Sequence, residues 1–221
     1  MELRLGDERL VARRSSRTPA SLDWEADLLG HLASHGLRVP VPVPALDGRR
    51  HVDGVTVQPW MSGHQPQPGD WPAVAATLRR VHELTMDWPQ RPGFASTIDL
   101  LTAAQGGDVD LTKMPADAVA ACRKAWARLA GAPLGVVHGD PGPANIRIAE
   151  YGVGLLDWDE ARVDCTDLDL ADLPGRHLPP ERLNVARTAV TAWETANGWV
   201  VEPSYARRQL AHLLAGHNDF G

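Results

Sequence analysis

The sequence contains little cysteine and no long apolar run. Only Cys122 and Cys165 occur among its 221 residues. Two thiols cannot build a disulfide framework, and these two lack the spacing of a metal site, which is typical of a reducing cytoplasm. Charged residues stand at the N-terminus where a signal peptide needs an apolar core, and no stretch approaches the length of a membrane span. We therefore predict a cytoplasmic protein with no membrane partner.

Positive charge is outnumbered by negative charge. The chain has 22 Lys and Arg residues against 28 Asp and Glu, a net charge of −6, and an isoelectric point near 5.8. This composition argues against a nucleic-acid partner and favours a cationic or neutral small molecule. With 43% apolar residues, a chain of this length can bury a core in one or two lobes. The composition leaves the oligomeric state open.

The most informative segment is a polar loop between short apolar runs. Residues 136–148 read Val-Val-His-Gly-Asp-Pro-Gly-Pro-Ala-Asn-Ile-Arg-Ile, and Leu155–Asp159 follow shortly after. The apolar runs predict three brief strands, so that Asp140, Asn145 and Asp157 emerge close together from strand ends or tight loops. Two glycines allow sharp turns in the loop and two prolines fix its backbone, which favours a rigid presentation of the polar side chains.

A carboxylate, an amide five residues later and a second carboxylate on the next turn suit phosphoryl transfer from a magnesium nucleotide. That reaction needs a base for the attacking hydroxyl and hard oxygen ligands for Mg²⁺. The pattern assigns Asp140 as the base and Asn145 and Asp157 as the metal ligands. One alternative is an ordinary loop with two turn aspartates and a capping asparagine, and another is an unrelated magnesium hydrolase. For His138 we predict a structural role within the loop.

These motifs resemble the signature of the aminoglycoside phosphotransferase (phosphotransferase enzyme) family, whose relatives include choline kinases and, more distantly, protein kinases. The resemblance rests on His138-Gly139-Asp140 with Asn145, on Leu156–Ala161 and on Asp167–Ala171. It implies an α+β, two-lobed protein-kinase-like fold, with a reduced N-terminal β lobe over residues 1–61 and a mainly helical C-terminal lobe over residues 62–221. It also implies ATP or GTP and Mg²⁺ as cofactors. The implied substrate is a hydroxyl-bearing small molecule such as an aminoglycoside, an amino alcohol or a sugar-like metabolite.

The same resemblance places nucleotide-binding residues in the N-terminal part. Arg13 falls at the position of the phosphate-binding lysine of kinases, and Glu25 at that of the helix glutamate that pairs with it. Pro59, Trp60 and Met61 fall at the hinge, where Pro59 can offer its carbonyl and Met61 its amide to adenine. The alternatives are an exposed edge-strand arginine, a solvated helix glutamate and packing between lobes.

The sequence departs from the family pattern before Arg13. The family normally has two strands and a glycine-rich loop there, whereas Met1 lies about a dozen residues upstream. We expect the nucleotide phosphates to be less completely covered than in relatives, unless the start site has been placed too late. The alternative function is a catalytically silent relative that binds a nucleotide or metabolite.

Acidic residues crowd the segment that begins at the predicted metal ligand. They are Asp157, Asp159, Glu160, Asp164, Asp167, Asp169 and Asp172. A solvated charge run is the ordinary explanation, but a run beginning at a metal ligand is typical of a cleft rim. We expect Asp159 and Glu160 to face the substrate.

Periodicity and turn residues predict the remaining elements. In the N-terminal part, the expected features are a hairpin turning at Gly6-Asp7, a helix from Leu22 to about His35 capped by Ser21, and a hairpin turning at Asp53-Gly54. A helix over residues 71–85 with a core His82 and a variable surface loop over residues 89–110 follow. The C-terminal part is expected to contain a helix beginning near Pro115, a helix closing at Gly198 and another from Ser204 to Ala215 closing at Gly216. We expect the loop to lie near the substrate mouth and the last two helices to be structural.

Overall fold

Small sheets and a helical C-terminal region make up the chain, which a computed structural model describes over residues 1–215. Within that range the strands are β1 (Glu2–Leu5), β2 (Glu8–Arg14), β3 (Val55–Pro59), β4 (Gln105–Gly106), β5 (Val109–Asp110), β6 (Leu134–Val137), β7 (Ile146–Ala149), β8 (Gly152–Leu155) and β9 (Arg162–Cys165). The α-helices in the same range are α1 (Pro19–Ser34), α2 (Trp71–Leu84), α3 (Ala116–Ala127), α4 (Asp167–Asp172), α5 (Pro180–Val201) and α6 (Pro203–Ala215). Among these, no helix is long and apolar enough to cross a membrane. The predicted helix end at Gly216 lies outside the described residues.

An antiparallel sheet in the order β1-β2-β3 forms the N-terminal part. Its first two strands turn at Gly6-Asp7, as predicted. The turn predicted at Asp53-Gly54 is also present, and both residues have positive φ. However, only Val52 and Val55 pair across it, and β3 pairs along its length with β2 instead. The prediction was right about the turn and wrong about the partner strand, since a single apolar residue precedes the turn.

Helix α1 packs against the strands that carry the candidate site. It begins at Pro19, and the Oγ1 atom of Thr18 accepts a hydrogen bond of 3.3 Å from the Ser21 amide. The prediction that Ser21 caps this helix is therefore wrong, because proline suits the first helical turn and the helix starts earlier. One apolar cluster joins α1 to α2 and to strands β6, β7 and β8, and it includes Leu28, Leu32, Leu78, Val136, Ile146 and Leu155.

A second apolar cluster joins the C-terminal helices. Helices α3, α5 and α6 contribute to it, and it includes Leu100, Trp126, Trp193 and Leu213. Helix α5 continues to Val201, so the prediction that it closes at Gly198 is wrong. The Gly198 carbonyl still accepts a hydrogen bond from the Glu202 amide at 2.8 Å, which completes the last turn. Periodicity missed β9 and α4 because four and six residues are too short to show it.

The segment between α2 and α3 is partly exposed, as predicted for a surface loop, but several of its residues are buried. Its buried residues include Arg91, Thr97, Leu100 and Val109. Its glycines shape a packed loop rather than a solvated one, since a Cβ at Gly106 would overlap with Ala95. Strands β4 and β5 pair within this segment, and the turn between them brings Asp108 to the cavity described below.

Candidate active site

The loop after β6 presents Asp140 to solvent beside a cavity. Gly139 has a φ of 89°, and a Cβ there would lie 2.7 Å from the Glu160 carbonyl oxygen, so this position requires glycine. Pro141 is buried while Asp140 is exposed, which anchors the loop next to its functional side chain. Gly142 has an ordinary φ of −69°, and its carbonyl accepts a 2.9 Å hydrogen bond from the Asn145 amide, so the backbone turns there without a positive φ. A Cβ at Gly142 would instead come within 3.1 Å of Oδ1 of Asp140.

Asn145 is hydrogen-bonded to Asp140 and lies beside Asp157. Its Nδ2 donates to Oδ2 of Asp140 at 2.8 Å and to the Asp140 carbonyl at 3.0 Å. Strands β7 and β8 pair with Ile146 opposite Leu155, and the Leu156 amide donates to the Asn145 carbonyl at 2.8 Å. The hairpin therefore brings together the three residues that the sequence singled out.

Asp157 occupies a left-handed turn at the end of β8. Its φ is 58°, a conformation that Asp tolerates better than most residues. Half of its side chain, 52%, is exposed, and its Oδ1 lies 2.7 Å from Nη2 of Arg13. The carboxylate is thus available to a ligand that displaces the guanidinium.

His138 is fully buried behind the loop. Its Nε2 lies 2.7 Å from the Leu156 carbonyl, and its ring centroid is 4.8 Å from that of Trp158. Its amide donates to Oδ2 of Asp169 at 2.8 Å. These contacts brace the loop carrying Asp140 against the turn carrying Asp157.

Asp169 organises the same loop from helix α4. It is 2% exposed and accepts hydrogen bonds from the amides of His138 and Gly139, while Nε2 of His82 lies 2.9 Å away. Burial acts to raise the pKa of Asp169, but the His82 contact and the other donors outweigh it and hold this pKa below 3.8. His82 is buried, as predicted, whereas its pairing with Asp169 was not predicted.

Arg13 and Glu25 meet, but each has a closer partner. Nη1 of Arg13 is 3.6 Å from Oε1 of Glu25, whereas Nη2 of Arg13 contacts Asp157 at 2.7 Å and Asp159 at 3.0 Å. Glu25 is 4% exposed and its Oε2 accepts a 2.7 Å hydrogen bond from Nη2 of Arg91. Sequence reasoning missed Arg91. The available signal was the place of Glu25 on the apolar stripe of α1, where a buried carboxylate requires a buried cation.

The predicted hinge residues lie at the end of β3. The Trp60 amide donates to the Arg9 carbonyl at 2.9 Å, so by strand alternation the Pro59 carbonyl points away from β2. Trp60 is 42% exposed, and the Arg9 guanidinium lies 4.2 Å from its ring centroid. The Met61 side chain reaches β8, where a Cβ at Gly154 would overlap with it.

A cavity of about 790 Å³ opens beside Asp140, and acidic residues outnumber cations in its lining. Besides Asp140, the acidic residues include Asp108, Asp159, Glu160, Asp172 and Glu194, and the cations in the lining are Arg17, Lys113 and Arg162. Burial raises the pKa of Glu160 and of Glu194. Burial, and then the negative charges of Glu194, Asp169 and Asp140, raise the pKa of Asp172 to about 6. Helices α5 and α6, which pack in the second apolar cluster as predicted for structural helices, also line the cavity through Glu194 and Tyr205.

The acidic run divides into cavity-lining and buried members. Glu160 lines the cavity, and its Oε1 accepts a 3.3 Å hydrogen bond from Asn197. Asp159 also lines it, but its carboxylate is held by Arg13 at 3.0 Å and by Arg17 at 2.8 Å. Other members are buried and paired with arginines, as Asp164 is with Arg162 and Asp167 with Arg182.

The donor set fits a magnesium ion that keeps most of its positions for other ligands. Among residues 1–215, no three His, Cys, Asp or Glu side chains are grouped so as to hold a metal by themselves. Mg²⁺ in nucleotide sites is held through one or two carboxylates together with phosphate oxygens and water. Because Nδ2 of Asn145 donates to Asp140, its Oδ1 remains as an acceptor, and the backbone bond from the Leu156 amide to the Asn145 carbonyl brings the neighbouring Asp157 close to Asn145 along the hairpin. Both are hard oxygen donors.

Comparison with known proteins identifies the family that the sequence motifs resemble, and the match extends along nearly the whole chain. The pattern of the phosphotransferase enzyme family matches residues 2–209. A homoserine kinase of Cupriavidus metallidurans is 39% identical over 77 residues, which cover 32% of this chain and 24% of that protein. The chain spans between about a quarter and about half of the length of the curated relatives that it matches.

Solved structures show the same fold. The choline kinase LicA from Streptococcus pneumoniae superposes with a TM-score of 0.69 at 14% identity, covering 99% of this chain and 89% of that one. The amicoumacin kinase hAmiN, solved with AMP-PNP, Ca²⁺ and Ami, superposes with a TM-score of 0.57 at 16% identity, covering 100% of this chain and 81% of that one. The fold is that of the kinase-like phosphotransferases, and the chain belongs to the phosphotransferase enzyme family.

Proposed function

We propose that the protein is a small-molecule kinase that transfers the γ-phosphate of ATP or GTP to a hydroxyl group. The observation that carries this proposal is the grouping of Asp140, Asn145 and Asp157. Asn145 binds the Asp140 carboxylate at 2.8 Å through its side chain and the Leu156 amide at 2.8 Å through its carbonyl. A candidate base and two candidate metal ligands are thus held by one hairpin and one rigid loop.

Each of these residues has a separate role in the proposal. Asp140 orients the acceptor hydroxyl and takes its proton, while Asn145 and Asp157 hold Mg²⁺. When bound, Mg²⁺ bridges phosphate oxygens and neutralises the charge that develops on them. Arg13 lies in the cleft at the Asp157 carboxylate, and we propose that it transfers its contact to the nucleotide phosphates.

The nucleotide base is proposed to bind at the end of β3. The Pro59 carbonyl points away from β2, and the Met61 side chain packs on β8, so the residues that follow β3 lie between the N-terminal sheet and the β7–β8 hairpin. Residues 1–61 would then supply the base and phosphate contacts, and the rest of the chain would supply the catalytic loop and the metal ligands.

The charge of the cavity supports a cationic acceptor such as an amino alcohol. Carboxylates outnumber cations in its lining, and an ammonium group is attracted to such a surface. Homoserine, choline and aminoglycosides, named in the similar proteins, each join an amino or quaternary ammonium group to a hydroxyl. We therefore propose this class as the first to test.

A catalytically silent, nucleotide-binding relative is the second candidate. The observation in its favour is the ion pair between Arg13 and Asp157 at 2.7 Å, which engages the carboxylate required for the metal. In that case a nucleotide would stabilise the protein equally with and without Mg²⁺, and no acceptor would be phosphorylated.

Thermal stability with ligands separates the two candidates. The protein would be heated with ATP or GTP, each with Mg²⁺ or with EDTA, and release of ADP or GDP would be followed with homoserine, choline, aminopropanol and aminoglycosides as acceptors. A nucleotide held at a hundred times its dissociation constant adds about 2.7 kcal/mol of stability. The kinase proposal predicts that this gain requires Mg²⁺ and that one acceptor class accelerates nucleotide turnover. A gain independent of Mg²⁺, without turnover of any acceptor, would favour the silent relative.

A further inference from the structure

Arg91 lies between helix α1 and the turn that follows the candidate metal ligand. Its side chain is 0% exposed. Toward α1, its Nη2 donates to Oε2 of Glu25 at 2.7 Å and its Nε donates to Oγ of Ser21 at 2.7 Å. Two of its three nitrogen atoms therefore bind one helix face.

The third nitrogen of Arg91 binds the turn. Its Nη1 lies 2.8 Å from the Trp158 carbonyl, 3.1 Å from that of Asp159 and 3.2 Å from that of Ala161. A planar guanidinium offers five N–H donors in a fixed fork, so one side chain can hold two elements at a set separation. Arg91 thus fixes α1 to the backbone of residues 158–161.

That turn has a conformation that needs support. Asp157 has a positive φ of 58°, which is uncommon for non-glycine residues even though Asp tolerates it better than most. On one side, the Leu156 carbonyl is held by Nε2 of His138 at 2.7 Å. On the other side, the Trp158 carbonyl is held by Arg91. The two contacts fix the peptide group before Asp157 and the peptide group after Trp158, and so restrict the direction of the Asp157 carboxylate.

Glu25 pairs most closely with Arg91 and not with Arg13, the partner that the family resemblance implies. Arg91 approaches Glu25 to 2.7 Å, whereas Arg13 stays at 3.6 Å. Because a buried carboxylate requires a close cation, Arg91 is the residue that neutralises Glu25. Arg13 can then exchange Asp157 for another anion without leaving a buried charge unpaired.

We propose that Arg91 is a positioning residue that orients Asp157 for metal–nucleotide binding and keeps α1 in place while Arg13 moves. The metal role of Asp157 rests on the proposed function, but the hold of Arg91 on the turn does not. The two parts of the proposal therefore have separate measurements.

The test variant is Arg91→Lys, which keeps the charge but cannot reach the helix and the turn together. The first measurement is amide hydrogen exchange of residues 157–161 in the ligand-free protein, and we expect exchange at least ~10-fold faster than in wild type. The second is equilibrium binding of a non-hydrolysable ATP analogue at increasing Mg²⁺. We expect the Mg²⁺ midpoint to rise about 10-fold, as for groups that orient metal ligands, while affinity in EDTA stays within about twofold.

Leu78→Ala is the matched control. Leu78 is fully buried in the apolar cluster that contains residues of α1 and Trp158. Its truncation therefore creates a packing defect next to the same two elements that Arg91 joins, but it removes no hydrogen bond to the turn. We expect this control to lower the melting temperature without moving the Mg²⁺ midpoint. The proposal is overturned if Arg91→Lys behaves like Leu78→Ala, with a lower melting temperature, wild-type exchange at residues 157–161 and a wild-type midpoint.

A double variant covers the case in which Arg91→Lys does not fold. Glu25→Gln with Arg91→Gln replaces the buried ion pair by two neutral amides that can bond to each other, so neither charge is left unpaired. The same faster exchange and the same rise in midpoint are expected. Normal protection of residues 157–161 in this variant overturns the proposal. If wild type itself binds the analogue without any Mg²⁺ dependence, the proposed function fails, and the exchange measurement alone decides whether Arg91 holds the turn.

Discussion

Asn145 donates a hydrogen bond of 2.8 Å from its Nδ2 atom to Oδ2 of Asp140. This contact joins the candidate base to a candidate metal ligand, so the orientation of one side chain fixes that of the other. It also leaves two side-chain oxygens free of this contact. In the proposed reaction, Oδ1 of Asn145 binds the metal and Oδ1 of Asp140 binds the substrate hydroxyl. The predictions below test this arrangement and its supports.

Asp157→Asn should remove the magnesium dependence of nucleotide binding. Asparagine tolerates the positive φ of this position, so the backbone is kept while the negative charge that attracts the metal is lost. Because half of the side chain is exposed, we expect the free energy of unfolding to change by no more than ~0.5 kcal/mol. Calorimetric titration with ATP, with and without Mg²⁺, measures the effect.

Asp159→Asn is the control for that experiment, since Asp159 contacts the same arginine but is also held by Arg17. It should retain the magnesium dependence. A dependence retained in Asp157→Asn and lost in Asp159→Asn would transfer the ligand role to Asp159.

Asp169→Asn should destabilise the protein strongly at neutral pH. The carboxylate is buried and binds His82 and two loop amides, and removing a buried charge that holds three hydrogen-bond partners costs about 3 kcal/mol. The pKa of Asp169 is lower in the folded protein than its usual value of 3.8. Its stabilising contribution is therefore present above that value and is lost as pH falls through the folded pKa. Urea unfolding at pH 7 and near pH 3 should show a large difference from wild type that shrinks in acid.

Asp167→Asn serves as the comparison, because its partner Arg182 is half exposed. We expect a clearly smaller loss at pH 7. Equal losses in the two variants, or a loss in Asp169→Asn that does not change with pH, would contradict the assignment of Asp169 as the buried anchor of the loop.

Asp172→Asn should stabilise the protein above pH 6. The pKa of Asp172 is raised to about 6 in the folded state, so its favourable contribution is present in acid and is lost as pH rises through 6. The variant should gain roughly 1 kcal/mol at pH 8, after allowance for solvent screening, and nothing near pH 4. Melting temperatures across this range measure the difference.

Glu194→Gln tests the cause of that effect. The Glu194 carboxylate is one of the negative charges that raise the pKa of Asp172, so its removal should bring this pKa down. The pH at which Asp172→Asn begins to gain stability should then fall in the Glu194→Gln background. A pH profile that is the same in both backgrounds would show that Glu194 does not act on Asp172.

The parts of the site close in sequence could be predicted from the sequence. Residues 134–157 form three short strands and the turns that connect them, and their glycines, prolines and apolar runs determine where the three polar side chains emerge. The turn at Asp53-Gly54 and the limits of α2 follow from equally local signals. Such features depend on neighbours within a few residues, which is the range that periodicity and turn chemistry can read.

The supports of the site could not be predicted because they come from distant segments. Arg91 lies in a stretch rich in proline and glycine that suggests a surface loop, yet it is 1% exposed and binds α1. Glu194 and Tyr205 line the cavity from helices whose sequence shows only amphipathic packing. Their position in the lining depends on how α5 and α6 pack beside the loop that carries Asp140, and a local sequence pattern does not predict such packing.

The central claim is that Asp140 is the base of a phosphoryl transfer, and single-turnover phosphorylation tests it most directly. Wild type and Asp140→Asn would be mixed with radiolabelled ATP, Mg²⁺ and the acceptor identified in the screen, and product would be followed within one turnover. Asparagine keeps the shape and one acceptor atom but cannot take the proton, so we expect the rate to fall ~10²–10⁴-fold, nearer the lower end because proton transfer is late in a loose transition state. Nucleotide affinity should stay unchanged. A near-wild-type rate with intact nucleotide binding would contradict the account.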